Sequence, residues 1–202
     1  MKWTILTIVA VFLLCTQAVS AQNLEKAIFA GGCFWCVESD FDKVPGVVST
    51  TSGYTGGKTK NPTYKQVTYG DTGHYEAVEI TYDPAKVSYE ALLTAFWHSV
   101  DPTDDGGQFC DRGDSYRTAV FALNDKQRKA AEASRKAAEK KLGKKIVTPI
   151  LAAAAFYPAE YYHQNYYKNN SFRYRYYRFS CGRDNRLRDL WGKDAFKGIP
   201  KN

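Results

Sequence analysis

Long apolar runs are scarce in this sequence. The one candidate, Ile5 to Leu14, spans ten residues, about half of what a bilayer-crossing helix needs. Also missing are the glycine patterns of phosphate and dinucleotide loops, a His-Glu-x-x-His helix and any internal repeat, so nothing points to nucleotide binding or a zinc protease. Cysteine is sparse, with five in 202 residues, which excludes a disulfide scaffold. Cys-x-x-Cys occurs once, and Cys110 and Cys181 stand without such partners, which counts against a four-thiol zinc site. What is present suits one globular domain with a real core: 44% hydrophobic and 24% charged residues. The formal charge of +7 favours acidic partners or anionic surfaces without identifying either.

The first residues stand apart. Lys2 precedes the short apolar run, and Val19-Ser20-Ala21 supplies small residues before Gln22. This pattern reads as a cleaved secretory signal over residues 1–21, with the mature domain at 22–202 and an exported destination, periplasmic or secreted. Leu14 is bulky where a lipoprotein signal with Cys15 as anchor wants a small residue. The mature chain then keeps Cys33, Cys36, Cys110 and Cys181 in a compartment that permits disulfides.

The stretch with most chemistry is Gly31-Gly32-Cys33-Phe34-Trp35-Cys36-Val37-Glu38. Lys26 to Ala30 (KAIFA) before it reads as a strand, and Val37 with Phe41 at i, i+4 marks a helix after it. Cys33 then lies where a Gly-Gly turn hands a strand to a helix, at the positive end of the macrodipole, where a thiolate is favoured. Cys36 lies one turn on, and Phe34 and Trp35 flank the thiol. By spacing alone, Cys-x-x-Cys also suits metal binding, a structural disulfide or an inert core pair.

Further along, Val47 to Thr51 reads as a strand and the Gly-rich stretch from Gly53 to Tyr64 as a long, functional loop. Tyr64 to Thr68 suits either a short helix or an extended piece. Tyr75 to Tyr82 alternates as a strand with one buried face; Glu76 shares a side with Val78 and Ile80, yet a strand-end glutamate is ordinarily solvated. Ser88 caps a helix through Ser99 with Leu92, Leu93, Phe96 and Trp97 inward, and His98 sits at its edge. A polar Gly-rich loop, Thr103 to Asp114, precedes a strand from Tyr116 to Leu123. Asn124 and Gln127 form a capping box for a long Lys- and Arg-rich helix ending at Gly143. Ile146 to Ile150 is β-rich. The tail from Tyr161 to Trp191 interleaves aromatics with arginine; it reads as tyrosines laid over the core with arginines at the surface, rather than as a nucleic-acid binder. The mixture without strict βαβ alternation predicts an α+β domain.

The sequence resembles the class A peptide methionine sulfoxide reductases. The matching stretches are Gly32-Cys33-Phe34-Trp35-Cys36-Val37-Glu38, Gly53-Tyr54-Thr55-Gly56-Gly57, Asn61-Pro62-Thr63-Tyr64, Gly70 to Glu76 (GDTGHYE), Asp111 to Arg117 (DRGDSYR), Tyr162-His163-Gln164 and Cys181-Gly182-Arg183-Asp184. Together they run from about Ala27 to Trp191. The resemblance implies a ferredoxin-like α/β plait, a mixed and mostly antiparallel sheet with flanking helices and a long irregular C-terminal segment.

It also implies roles. Cys33 is the nucleophile that becomes a sulfenic acid, Phe34 and Trp35 bind the substrate methyl, Tyr64 and Tyr116 donate to the sulfoxide oxygen, and Glu76 is a buried proton donor. Asp111 helps hold this polar group together. Cys36, one turn away, or Cys181 near the C-terminus resolves the sulfenic acid as a disulfide, with a second, relaying disulfide as a further role for Cys181. Apart from the resemblance, Cys110 reads as a small residue packed beneath the loop. The implied substrate is the S epimer of methionine sulfoxide, free or in oxidised proteins, and the implied reductant is a thioredoxin-like dithiol. No metal, flavin or nucleotide cofactor, no nucleic acid and no membrane span in the mature chain are implied, and the absence of an association motif suggests a monomer. The alternatives are a thioredoxin-like dithiol-disulfide oxidoreductase using Cys33 and Cys36, and a cysteine hydrolase pairing Cys33 with His163 or His74.

Overall fold

The computed structural model describes residues 23–200; the expected signal sequence and Cys15 lie outside the described residues. The chain opens with β1 (Glu25–Gly31), α1 (Phe34–Phe41), β2 (Val47–Thr55), α2 (Tyr64–Tyr69), β3 (Tyr75–Tyr82) and α3 (Tyr89–Trp97). A two-residue hairpin follows, β4 (Gly107–Gln108) and β5 (Asp111–Arg112), then β6 (Thr118–Ala122), α4 (Asp125–Leu142), β7 (Ile150–Ala152) and β8 (Tyr157–Pro158). The chain ends in α5 (Tyr166–Asn169), α6 (Ser171–Ser180) and α7 (Arg183–Trp191).

Six strands form one sheet in the order β7-β6-β1-β3-β2-β8. Its four central strands are antiparallel, and only β7 joins parallel, alongside β6. The order β6-β1-β3-β2 is that of a split βαβ, the ferredoxin-like plait. β1 lies inside the sheet with both edges paired, so alternate side chains serve two cores. Ala27 and Phe29 join the large one with α1, α3 and α4, where the Phe29 ring stacks on Phe96 at 4.9 Å. Ile28 and Ala30 join a smaller one with Tyr75, Ala77, Ala119 and Phe121, covered by Leu151 and Phe156. For this reason β3 is buried on both faces over Tyr75–Val78, where alternation alone suggested one.

Ser88 caps α3 by accepting from the Ala91 N–H, with Leu92, Leu93, Phe96 and Trp97 buried beneath. The box before α4 is half formed. Asn124 accepts from the Gln127 N–H, but the Gln127 side chain turns to the Leu123 N–H and the Lys26 carbonyl. The strand expected from Tyr116 begins at Thr118, because Asp114–Tyr116 makes a 3-10 turn that carries Tyr116 off the sheet. The β-rich piece at Ile146 enters the sheet only at Ile150, past Pro149, which has no N–H for a ladder but accepts from the Val120 N–H.

The C-terminal segment corrects two expectations. It is largely helical over α5 to α7 rather than irregular, because it has an inner face to bury. On α6 that face carries Tyr174, Tyr177 and Arg178, while Phe172, Tyr176 and Phe179 are exposed. Its key arginines are not at the surface. Arg178 pairs with buried Asp40, and Arg183 is buried, donating to the Gly31 and Ser99 carbonyls. Among the described residues no helix is long and apolar enough to cross a membrane.

Candidate active site

The Gly31-Gly32 turn sets the geometry. Gly32 has φ +79°, and a Cβ there would lie 2.5 Å from the Gln108 Cβ, so only glycine lets the loop close over the turn. Cys33 follows as the residue capping α1, its carbonyl accepting from the Cys36 and Val37 N–H groups at 3.1 and 3.4 Å. A pocket of about 70 Å³ is lined by Cys33, Phe34, Trp35, Tyr64, Glu76, Asp111, Tyr116 and Tyr177. Seven of these eight were singled out in the sequence. They come from α1, the start of α2, β3, β5, the 3-10 turn before β6, and α6.

Glu76 is 1% exposed, which corrects the expectation of a solvated strand end. β3 begins under α1, and the Phe34 N–H at the first turn of that helix donates to its Oε2 at 3.0 Å. Burial pushes its carboxyl up to about 8, the Phe34 N–H opposes this and the Asp111 charge adds to it. The carboxyl therefore stays largely protonated at neutral pH. The Tyr64 and Tyr116 hydroxyls lie 3.5 Å apart, and burial raises both phenols, Tyr116 far above the usual range, so both are neutral donors.

Cys33 and Cys36 are both free and buried. The dipole argument for a Cys33 thiolate is overridden by its surroundings. Burial, the bond to Cys36 and the charges of Cys36 and Asp111 push the Cys33 thiol up. Cys36 moves down instead, helped by its bond to Cys33 and the charges of Arg183 and Arg178.

Phe34 and Trp35 form walls held from behind. Trp35 stacks on Tyr166 at 3.7 Å and donates through its indole N–H to His163 Nδ1 at 3.1 Å. His163 also sits against the Phe34 and Tyr64 rings, and burial pulls its pKa down. Glu160 accepts from the Tyr54 hydroxyl and the Tyr64 N–H, both at 2.8 Å, and so anchors α2. His163 belongs to the aromatic wall, and His74 is held by the Gly57 N–H and Thr59 carbonyl. Neither is a base for Cys33, and the hydrolase reading loses its partner.

Sequence reasoning missed Tyr177. Its hydroxyl donates to Asp111 Oδ2, and nothing in the aromatic-rich tail distinguished it from its neighbours. The placement of Cys110 and Cys181 is a second correction. They form a disulfide, Cα atoms 4.9 Å apart, across 71 residues of sequence. Cys110 is exposed rather than tucked beneath the loop, because β4 and β5 turn it outward toward the end of α6. Cys181 is paired with Cys110, and Cys36 is the free thiol that stands beside Cys33.

A buried thiol pair, a protonated carboxyl and two phenols around an aromatic-walled pocket make this a thiol-dependent oxidoreductase site. Comparison with known proteins makes the class specific. A family profile described as Peptide methionine sulfoxide reductase matches residues 25–195. Peptide methionine sulfoxide reductase MsrA 2 of Caulobacter vibrioides is 55% identical over 176 residues, 87% of this chain and 89% of that protein. Among solved structures, methionine sulfoxide reductase A of Corynebacterium diphtheriae has a TM-score of 0.67 at 32% identity, covering 75% of this chain and 77% of that one. Reduced Mxr1 of Saccharomyces cerevisiae has a TM-score of 0.69 at 31% identity, over 73% of this chain and 86% of that one. Mxr1 is also solved in complex with Trx2, at 23% identity and a TM-score of 0.51, a likeness of fold. The chain belongs to the class A peptide methionine sulfoxide reductases, enzymes that reduce methionine sulfoxide.

Proposed function

We propose that this chain reduces the S epimer of methionine sulfoxide, in oxidised proteins or as the free amino acid, through a sulfenic acid on Cys33. The observation that carries the reading is the meeting, in one pocket, of a buried thiol pair with a carboxyl that stays protonated at neutral pH. Phe34 and Trp35 take the substrate methyl, and the Tyr64 and Tyr116 hydroxyls take the sulfoxide oxygen. Glu76 gives its proton to that oxygen as the sulfur–oxygen bond breaks, and Asp111 holds the polar wall in place. Cys33 gives up its thiol proton as it attacks, and that proton replaces the one Glu76 has given, so no net proton is consumed. Oxygen passes from the methionine sulfur to Cys33. The substrate sulfur gains two electrons, Cys33 loses two, and methionine leaves.

Cys36 then attacks the sulfenic acid, water leaves, and a Cys33–Cys36 disulfide forms. An external thioredoxin-like dithiol reduces it, taking the disulfide onto itself, so no resident cofactor is called for. Mxr1, held by Trx2 in its solved complex, is the precedent for such a partner. The N-terminal charge, apolar run and small-residue ending favour export of the domain at 22–202, to the periplasm or beyond, where the enzyme acts as a single chain on oxidised proteins and needs an exported reductant. A thioredoxin-like oxidoreductase is disfavoured, because the family profile matching residues 25–195 is that of the sulfoxide reductases.

The test is a single turnover of reduced protein with each sulfoxide epimer, counting methionine and free thiols. Methionine from the S epimer alone, with two thiols lost per methionine, is the expected outcome. No methionine from either epimer would overturn the reading.

A further inference from the structure

Three consecutive loop residues are tied to the C-terminal segment, and each tie is of a different kind. The Phe109 ring lies under the Arg183 guanidinium, 4.6 Å from ring centroid to Cζ. Cys110 is bonded to Cys181. Asp111 accepts from the Tyr177 hydroxyl. Before these three residues the loop is held from within its own segment, where buried Gln108 bonds both ways to the Asp101 backbone. Its hairpin is two residues per strand, Phe109 is left-handed with φ 58°, and Arg112 at the end of β5 pairs with Asp104 near the surface. On the other side, Tyr177 lies four residues before Cys181, on one face of α6, and Arg183 reaches through to the Gly31 carbonyl, two residues before Cys33.

We propose that the Cys110–Cys181 disulfide is a positioning strap and takes no part in turnover. It holds Asp111 and Tyr177 against the pocket and so sets the rate of the methionine-releasing step, while the redox cycle runs on Cys33 and Cys36 alone. The inference rests on the Cys33–Cys36 reading above. A loop fixed by one covalent bond beside its carboxylate keeps Asp111 within a fraction of an ångström of its place; a misplacement of about 1 Å can slow a positioned reaction up to about a hundredfold. A relay role for the same disulfide predicts the opposite pattern, because a relay acts after methionine has left.

The experiment compares the wild type with the C110A/C181A double variant. The rate of methionine release in the first turnover and the steady-state rate with a thioredoxin dithiol are measured separately. With the strap, the variant releases methionine about tenfold more slowly, loses two thiols per methionine as the wild type does, and its steady-state rate falls only as far as the first step makes it. A normal first turnover with recycling lost assigns the disulfide to the relay and overturns the proposal. So does a variant equal to the wild type in both measurements. A merely structural role is separated by repeating the comparison with Asp111→Asn in both proteins. If the disulfide acts through Asp111, removing it then slows release little further; an undiminished tenfold loss overturns the assignment. A wild type that releases no methionine at all would sink the underlying function instead, which keeps the two failures apart.

Discussion

Replacing Glu76 with glutamine should inactivate the enzyme and stabilise its fold at once. Glutamine keeps an oxygen to accept from the Phe34 N–H but has no acidic proton. Loss of a general acid typically slows a reaction about 10²–10⁴-fold, and that range is expected for the first-turnover release of methionine. The stability effect follows from the raised carboxyl, at about 8 in the fold against about 4.3 in an unfolded chain. Below about pH 4 both states hold the proton and the group is neutral to folding. As pH rises, the unfolded state ionises first, and stability falls until the folded carboxyl itself ionises near 8. Between pH 5 and 8 the wild type should therefore lose about 3 to 4 kcal/mol through this one group. Glu76→Gln is free of that loss. For a domain of this size the gain corresponds to a melting temperature about 10 °C higher at pH 8 and nearly unchanged at pH 5. Thermal unfolding of both proteins at the two pH values, together with single-turnover assays, measures both effects. Glu38, whose carboxyl burial raises to about 7, leaves a residual slope in both proteins, so the difference between them carries the test. A melting shift of equal size at pH 5 and pH 8, or an active variant, would refute the assignment of Glu76 as a buried acid.

Cys36→Ser should release one methionine per enzyme and then stop, leaving a sulfenic acid that a dimedone-type probe labels and mass spectrometry reads; unlabelled Cys33 with continued turnover would assign resolution elsewhere. Tyr64→Phe and Tyr116→Phe should each slow methionine release modestly, about tenfold, because the partner hydroxyl 3.5 Å away still donates. The double variant should lose more than the two single losses combined, and simple additivity would show that the two phenols act on different atoms. Arg183→Lys should destabilise the fold by about 2 to 4 kcal/mol in urea titration, since lysine loses the second donor nitrogen on the Gly31 carbonyl and the planar contact over the Phe109 ring. An unchanged midpoint would mean that this buried guanidinium is not holding the turn before Cys33.

What the amino-acid order determined by itself was local. The apolar run Lys26 to Ala30, the glycine pair and the i, i+4 placement of Val37 and Phe41 were enough to put Cys33 between a strand and a helix. Period and turn chemistry act over a few residues, and β1 and α1 followed them closely. The motifs carrying Tyr64, Glu76, Asp111 and Tyr116 named the pocket's residues, but their resemblance to a family supplied the roles; periodicity did not.

The tertiary structure decided the rest, because it depends on what covers what. Glu76 sits at a strand end, where solvation is the ordinary outcome, and only the packing of α1 over β3 turns it into a protonated acid. The dipole at the start of α1 favours a Cys33 thiolate, yet the surrounding burial and the neighbouring Cys36 outweigh it. In the tail, every aromatic and arginine looked alike in sequence. Docking of α6 and α7 selected Tyr177 for the pocket and Arg183 for the core while leaving Phe172 and Phe179 in solvent. The Cys110–Cys181 bond spans 71 residues, a separation over which sequence spacing carries no pairing information. It is fixed by where the β4–β5 loop meets the end of α6.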